Sequence, residues 1–163
     1  MPGGVEVERK WLVEQAPDEA LAAPSELIEQ GYLTIGSEGA ETRVRRRGER
    51  CLLTVKSGSG VSRAEHEVEL TREQFAALWP ATESARLVKR RHVLEAQDGR
   101  VIELDVYEGR LSGLIVAEVE FDDPRGAEAF VAPDWFGREV TDEAAYKNQC
   151  LVRLDEPPAP TSP

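Results

Sequence analysis

Short stretches in which charged and apolar residues alternate recur along the chain, and this recurrence limits its possible folds more than any other feature. Successive residues of a β-strand point to opposite faces of a sheet, so alternation at a period of two predicts strands with one apolar and one charged face. The first is Glu6-Val7-Glu8-Arg9-Lys10: Glu6, Glu8 and Lys10 share a face, Val5, Val7 and Trp11 share the other, and Arg9 intrudes on the apolar side. Downstream, Arg43, Arg45 and Arg47 alternate with Val44 and Arg46, and Lys56 shares a face with Thr54 and Leu52. Glu65, Glu67 and Glu69 alternate with His66, Val68 and Leu70, and Lys89 and Arg91 with Val88 and Arg90. Glu103 and Asp105 alternate with Ile102, Leu104 and Val106, and Glu118 and Glu120 with Ala117, Val119 and Phe121.

Two architectures fit these faces. One is an open sheet with a wet face laced by cross-strand ion pairs. The other is a barrel with its charged faces inward and its apolar faces outward under a cladding of helices. Arg-x-Arg, Lys-x-Arg and Glu-x-Glu blocks set like charges side by side on one face, which exposed pairing alone does not favour. The pattern therefore leans toward an enclosed charged lining, with the open sheet as the alternative.

The connections agree with a mainly antiparallel β fold with flanking helices. Gly48-Glu49 and Asp98-Gly99 predict hairpins, the first joining Glu41 to Arg47 with Cys51 to Lys56, the second joining Arg86 to Glu95 with Val101 to Tyr107. Arg63 to Leu70 and Leu114 to Phe121 read as further strands, and Tyr32 to Ile35 as a short one. Pro17 to Ala23 reads as a loop, and Pro24 to Gln30 as at most a short helix stopped by Gly31. Thr71-Arg72-Glu73-Gln74 carries a capping-box pattern ahead of Phe75, Leu78 and Trp79 at helical spacing, with Pro80 ending the helix. Asp122-Asp123-Pro124 opens a short helix through Val131, and Thr141-Asp142-Glu143 a final helix running toward Leu154. Ser57 to Gly60 reads as a flexible loop.

At 163 residues the chain fits one domain, residues 1–154, followed by a Pro-rich segment, 155–163, expected to be disordered. A net charge of -11 argues against nucleic acid and acidic membrane surfaces as partners. The positive charge is nevertheless clustered, at Arg43 to Arg50 and Lys89 to Arg91, which suits a small polyanion arriving with metal counter-ions. Cys51 and Cys150 match no metal or redox spacing and read as reduced packing residues. No run approaches the roughly 18 apolar residues of a membrane span, and the N-terminus lacks a signal-peptide core, so a cytoplasmic location is expected.

Carboxylate clusters without His or Cys favour hard, oxygen-loving Mg²⁺ or Mn²⁺ over zinc. Arginines and lysines converging opposite them would hold phosphate oxygens. The combination describes a metal-assisted phosphoryl-transfer site. The glycines near Gly58 lack the Lys-Ser/Thr of a phosphate-binding P-loop.

Glu6-x-Glu8-x-Lys10 resembles the ExExK signature of the CYTH superfamily, the triphosphate tunnel metalloenzymes. The likeness extends, in order, through Gln30-Gly31-Tyr32-Leu33, Arg43-x-Arg45, Leu53-Thr54-Val55-Lys56, Glu65-x-Glu67, Lys89-x-Arg91, Glu103-Leu104-Asp105, Ala117-Glu118-Val119-Glu120-Phe121 and Tyr146-x-Asn148-x-x-Leu151, about residues 4 to 153. It implies an eight-stranded closed β-barrel tunnel with a charged interior. It implies triphosphate bound by Lys10, Arg43, Arg45, Lys56, Lys89 and Arg91. Divalent metal would be held mainly by Glu8, Glu118 and Glu120, with Glu6, Glu67 and Asp105 in support.

Short bacterial hydrolases of the family pair a tyrosine with a lysine to activate water, and Tyr32 and Lys56 stand at the matching positions. That role requires Lys56 to have a depressed pKa or a base beside it. The expected activity is hydrolysis of inorganic triphosphate to diphosphate and phosphate. The alternatives are a thiamine or nucleoside triphosphatase, a class IV adenylyl cyclase on the same scaffold, and a non-catalytic polyphosphate-binding module. Arg47, Glu65, Glu69, Glu103 and Lys147 carry no assigned role. His66 and His92 fall on outward faces, Trp11, Trp79 and Trp135 read as core, and Arg9 has no evident task.

Overall fold

The computed structural model describes residues 7–57 and 64–159, with the Glu38 side chain excepted. Glu6, the Gly58–Gly60 part of the predicted loop and the last four residues of the predicted tail lie outside the described residues. Eight strands make one sheet: β1 Val7–Leu12, β2 Ser25–Ile35, β3 Glu41–Arg47, β4 Arg50–Ser57, β5 Ala64–Leu70, β6 Arg86–Glu95, β7 Val101–Glu108 and β8 Ile115–Phe121. Their order is β1-β8-β7-β6-β2-β3-β4-β5, and every adjacent pair is antiparallel. Four short helices accompany them: α1 Asp18–Leu21, α2 Arg72–Leu78, α3 Pro124–Ala129 and α4 Asn148–Leu151.

The ladder begins at β1 and ends at β5, and among the described residues no pairing joins these two strands. The barrel expected to be closed is thus seen as a single sheet with two margins. It nonetheless curls, because residues of all eight strands line one cavity. The β1 margin is covered: Leu12 donates its amide to Arg138 O, and Gly137 and Val140 donate theirs to Leu12 O and Lys10 O. At the other margin β5 is exposed on both faces up to Leu70.

The outer face is apolar and clad, as the alternation predicts. Trp11, Ile102, Leu104, Val119, Phe121 and Phe130 pack with α1 and α3 on one side, and Val44, Cys51 and Phe75 pack with α2 on another. The capping box of α2 forms in full, Thr71 accepting from the Gln74 amide and Gln74 from the Thr71 amide. Asp123 caps α3 with Pro124 at its start. Both cysteines are free, and Cys51 is buried. No helix among the described residues is long and apolar enough to cross a membrane.

Three local expectations are corrected. Ser25–Ile35 is one eleven-residue strand in place of a short helix followed by a short strand. Its backbone is bonded on both sides, to β3 and to β6, and this pairing overrides the local helical preference. Gly31 is not a helix stop: a Cβ there would collide with the Thr82 side chain, so it permits the close approach of the turn after α2. The segment expected to be a loop carries the single turn α1. The expected C-terminal helix is instead a 3₁₀ turn at Ala144–Tyr146 and α4, broken at Lys147, whose ψ of 137° is extended.

Arg9 proves to be a clamp on the outer face. It donates to Ala127 O at 2.7 Å and to both Glu139 oxygens at 2.9 and 2.6 Å, tying β1 to α3 and to the strap over its edge. The bond from Arg9 holds the Glu139 carboxyl below its ordinary value of 4.5. A depressed carboxylate stabilises the fold above its unfolded pKa and stops doing so as pH falls through the folded one. Because the pair is partly exposed, Arg9→Ala is expected to lower the unfolding free energy by about 1 kcal/mol at pH 7. In urea titrations the gap from the unsubstituted protein should narrow below pH 4.5.

Candidate active site

The charged faces converge on a cavity of about 530 Å³. Its lining carries eight cationic side chains, Lys10, Arg43, Arg45, Arg47, Lys56, Lys89, Arg91 and Lys147, against the six carboxylates of Glu8, Glu41, Glu65, Glu103, Glu118 and Glu120. A protein of net charge -11 has therefore concentrated an excess of positive charge in this polar recess. Tyr32, Gln30, Asn148 and Gln149 complete the lining.

The two kinds of charge take different walls. Arg43, Arg45 and Arg47 come from β3 and Lys56 from the facing β4, alternate residues sharing one face. Arg43 pairs with Glu41 at 3.2 Å and Arg45 with Glu67 at 3.6 Å. The Nε atoms of both arginines are buried and have no hydrogen-bond partner. Burial, with repulsion from Arg43 next in size, depresses the Arg45 pKa. Orphaned guanidinium donors in a recess of like charge are costly unless an anion satisfies them.

The acidic wall comes from β1 and β8, where Glu8 faces Glu120 and Lys10 faces Glu118. Lys10 Nζ lies 3.0 Å from Glu118 and 3.9 Å from Glu8. Burial, then repulsion from Glu118, pushes the Glu8 carboxyl up to about 7 against the pull of Lys10. Glu118 is held low despite its burial, chiefly by Lys10 and Lys89. Among the described residues no three such groups already form a metal cage. The donor set still fits a hard cation: it is all oxygen, one member is short of positive charge, and an ammonium stands among the carboxylates. Mg²⁺ ordinarily binds through one or two carboxylates plus water and phosphate oxygens, so a complete protein cage is not required.

Between the walls, and below the lining, lies Asp105 with no solvent exposure. It accepts from Lys89 at 2.5 Å and from Arg91 Nε and Nη2 at 2.7 Å each. Arg91 reaches on to Glu103 and, at 3.3 Å, to Glu118. Lys89 and Arg91 overcome the effect of burial and hold the Asp105 carboxyl at about 2. Asp105 thus anchors cations and has its oxygens engaged. Glu67 also lies outside the lining; half-exposed, it accepts from Thr54 and pairs with Arg45.

Tyr32 and Lys56 line the same cavity. The Tyr32 hydroxyl accepts from Gln30 Nε2 at 2.9 Å, and the positive charge of Arg43 acts on it as well. Burial, then the Glu41 charge, raises its pKa to about 12. Lys56 Nζ is 3.5 Å from Glu65, so a carboxylate does stand beside it.

No protein-family model matches the chain. It is 45% identical to an inorganic triphosphatase of Nitrosomonas europaea over 90% of this chain and 96% of that protein. It is 35% identical to an inorganic triphosphatase of Acetivibrio thermocellus over 92% and 94%. The chain belongs to the CYTH-type inorganic triphosphatases.

A crystal structure of an inorganic triphosphatase superposes on it with a TM-score of 0.73 at 41% identity, covering 91% of this chain and 95% of the other. A Pyrococcus horikoshii protein at 20% identity and TM-score 0.52 over 76% and 84% shares the fold alone. Membership of the triphosphatase family agrees with the resemblance drawn from ExExK onward.

Four lining residues of this triphosphatase are not singled out as site candidates by the sequence, although Gln30 and Asn148 lie within motifs of the family resemblance. Glu41 is in phase with Arg43, Arg45 and Arg47, a signal that was present but masked by its opposite charge. Gln30, Asn148 and Gln149 are neutral and show no charge pattern; the break at Lys147 brings the last two to the cavity, where Tyr107 donates to Asn148 at 2.7 Å. Removing one partner of a buried ion cluster leaves the others uncompensated. Asp105→Ala should therefore lower the unfolding free energy at pH 7 by about 3–5 kcal/mol, read by urea denaturation.

Proposed function

We propose that the protein hydrolyses inorganic triphosphate to diphosphate and phosphate, with a divalent cation of the Mg²⁺ or Mn²⁺ type, inside its charged cavity. The observation that carries this reading is the pair of buried, unpartnered Arg43 and Arg45 Nε donors in a recess with excess positive charge. A linear polyanion supplies what they lack. The recognisable contacts all suit phosphate oxygens, and the curled sheet would work as a tunnel around them. The names of the two relatives support the same substrate.

In this reading Arg43, Arg45, Lys56, Lys89, Arg91 and Lys10 bind and orient the three phosphates. Asp105 positions Lys89 and Arg91 and, in contrast to the sequence expectation, does not serve as a ligand. Glu8, Glu118 and Glu120 would hold the metal, which supplies charge neutralisation at the phosphate oxygens when bound. Lys10 then exchanges Glu118 for phosphate. Tyr32 remains a neutral phenol and, with Lys56, donates hydrogen bonds that orient the attacking water.

Intact carboxylates on the β1–β8 wall argue against a purely anion-binding module, which gains nothing from acids in its site. A class IV adenylyl cyclase would need the ribose hydroxyl as nucleophile. Phosphate release should be highest with inorganic triphosphate when it is compared with thiamine triphosphate and ATP in Mg²⁺ and in Mn²⁺. No release from any of them would sink the hydrolase reading, and cyclic AMP from ATP would replace it.

Three variants separate the roles. Arg45→Ala should raise KM for triphosphate by about 10-fold or more, the loss of a charge-assisted contact. Glu120→Ala should raise the metal concentration giving half-maximal rate. Lys56→Ala should lower kcat by about 100-fold with little change in that metal requirement.

A further inference from the structure

The polypeptide that follows the sheet re-enters the cavity near its end. Lys147, Asn148 and Gln149 line it although none of them belongs to a strand. The segment is pinned on both flanks: Tyr146, Leu151 and Val152 are buried in the cluster that holds Tyr32 and Tyr107, and the Tyr146 carbonyl accepts from Lys10 Nζ at 3.4 Å. What it offers the cavity is therefore held in place by the core and by the acidic wall.

Asn148 is the residue whose side chain has a fixed orientation there. The Tyr107 hydroxyl donates to its Oδ1 at 2.7 Å. Tyr107 is buried, at 2% exposure, and stands outside the lining, so the amide oxygen is drawn away from the cavity. Among the described residues Oδ1 is the acceptor of that hydroxyl, and a buried O–H without one is costly, which fixes the direction of the bond. A phenol with a pKa near 10 keeps its proton at neutral pH, so the bond persists there.

The two amide hydrogens of Asn148 are left over. Among the described residues Nδ2 donates to no protein group, and it is not one of the polar atoms shut away from solvent. The Tyr107 ring also lies 5.5 Å from Lys89 Nζ, a cation itself held by Asp105, so the amide is registered against the cavity floor. A carboxamide aimed in this way adds a donor to the lining without adding another charge to a crowded set of cations.

We propose that Asn148 is a substrate-binding residue, its Nδ2 donating to a phosphate oxygen near Lys89, and that Tyr107 is the residue that positions it. The inference takes its ligand from the hydrolase reading above. Tyr107 touches no substrate; it acts by holding the amide oxygen so that the amide nitrogen faces the cavity.

The test measures KM for inorganic triphosphate with Mg²⁺ and, by calorimetry in EDTA, the dissociation constant of triphosphate, on the intact protein. Asn148→Ala should raise both by about 10-fold, the loss of a hydrogen bond to a charged group, with kcat within a few-fold. Asn148→Asp, which keeps an acceptor for Tyr107 and turns a carboxylate toward phosphate, should raise them further. Tyr107→Phe should raise them a few-fold in the unsubstituted protein and not at all in the Asn148→Ala background, the non-additivity of residues that act as one unit. If Tyr107→Phe does not fold, the order of the two Asn148 variants decides. A tie that only fastens the segment to the sheet would lower Tm while leaving KM within two-fold in Asn148→Ala, and that result overturns the assignment. So does a Tyr107→Phe effect of equal size in both backgrounds, or an Asn148→Asp variant that binds triphosphate as well as the alanine variant. Absence of turnover in the unsubstituted protein would remove the hydrolase reading alone, because the calorimetric constants still report the Asn148 contact.

Discussion

The bond set around Asp105 is the constraint on which the architecture depends. A sheet that turns its charges inward must neutralise them there, because ions withdrawn from water are costly unless paired and hydrogen-bonded. Lys89 and Arg91 supply three donors to one fully buried carboxylate, and Arg91 extends the network to Glu103 and Glu118 on the neighbouring strands. That network spans β6, β7 and β8, the middle of the half-sheet that also carries the acidic wall. It holds two cations rigidly at the cavity floor, with their geometry fixed before any ligand arrives.

The opposite half is left electrostatically unfinished. β3 brings three arginines in a row onto one face, and the pairing partners it meets do not satisfy all their donors. β2 joins the halves, bonded to β6 on one side and β3 on the other along its length. A register irregularity between Tyr32 and Thr34 lets both Tyr32 and Ile35 pair with inward-facing β3 residues, Arg43 and Glu41. Such a bulge re-aims side chains near a site. The molecule thus combines a saturated cation floor with a wall of unmet donors, a division that suits binding followed by chemistry.

Much of this was legible in the chain itself, because a period of two is a strong signal wherever one face is charged. Hairpins at Gly48 and Gly99 and the Thr71 cap follow from spacing and turn chemistry, and the shared charged faces from Glu8 to Glu120 from alternation, which favoured an enclosed lining but left an open wet sheet as the alternative. The misreadings share a physical cause. Ser25 to Gln30 looks helical because its polar residues have no strand-like alternation; its strand is imposed by neighbours on both sides. Lys147 interrupts the final helix because cavity and core make different demands on Asn148 and Leu151. Asp105 and Glu118 look alike in sequence, yet depth separates them, one saturated beneath the lining and the other within it. Whether the sheet closes is a matter of pairing between its first and last strands, which no local pattern encodes.

The two margins of the sheet are protected by different means. Backbone bonds from the Gly137–Val140 strap cover β1, whereas β5 ends the ladder with Glu65, Glu67 and Glu69 in alternation. An uncovered strand edge is a template for sticking to another molecule of the same kind, and a row of like charges deters it. The glutamates of β5 are side chains of the kind that oppose such edge-to-edge pairing, in addition to the contacts that Glu65 and Glu67 make with Lys56 and Arg45. Neutralising them would threaten solubility before it threatened the fold.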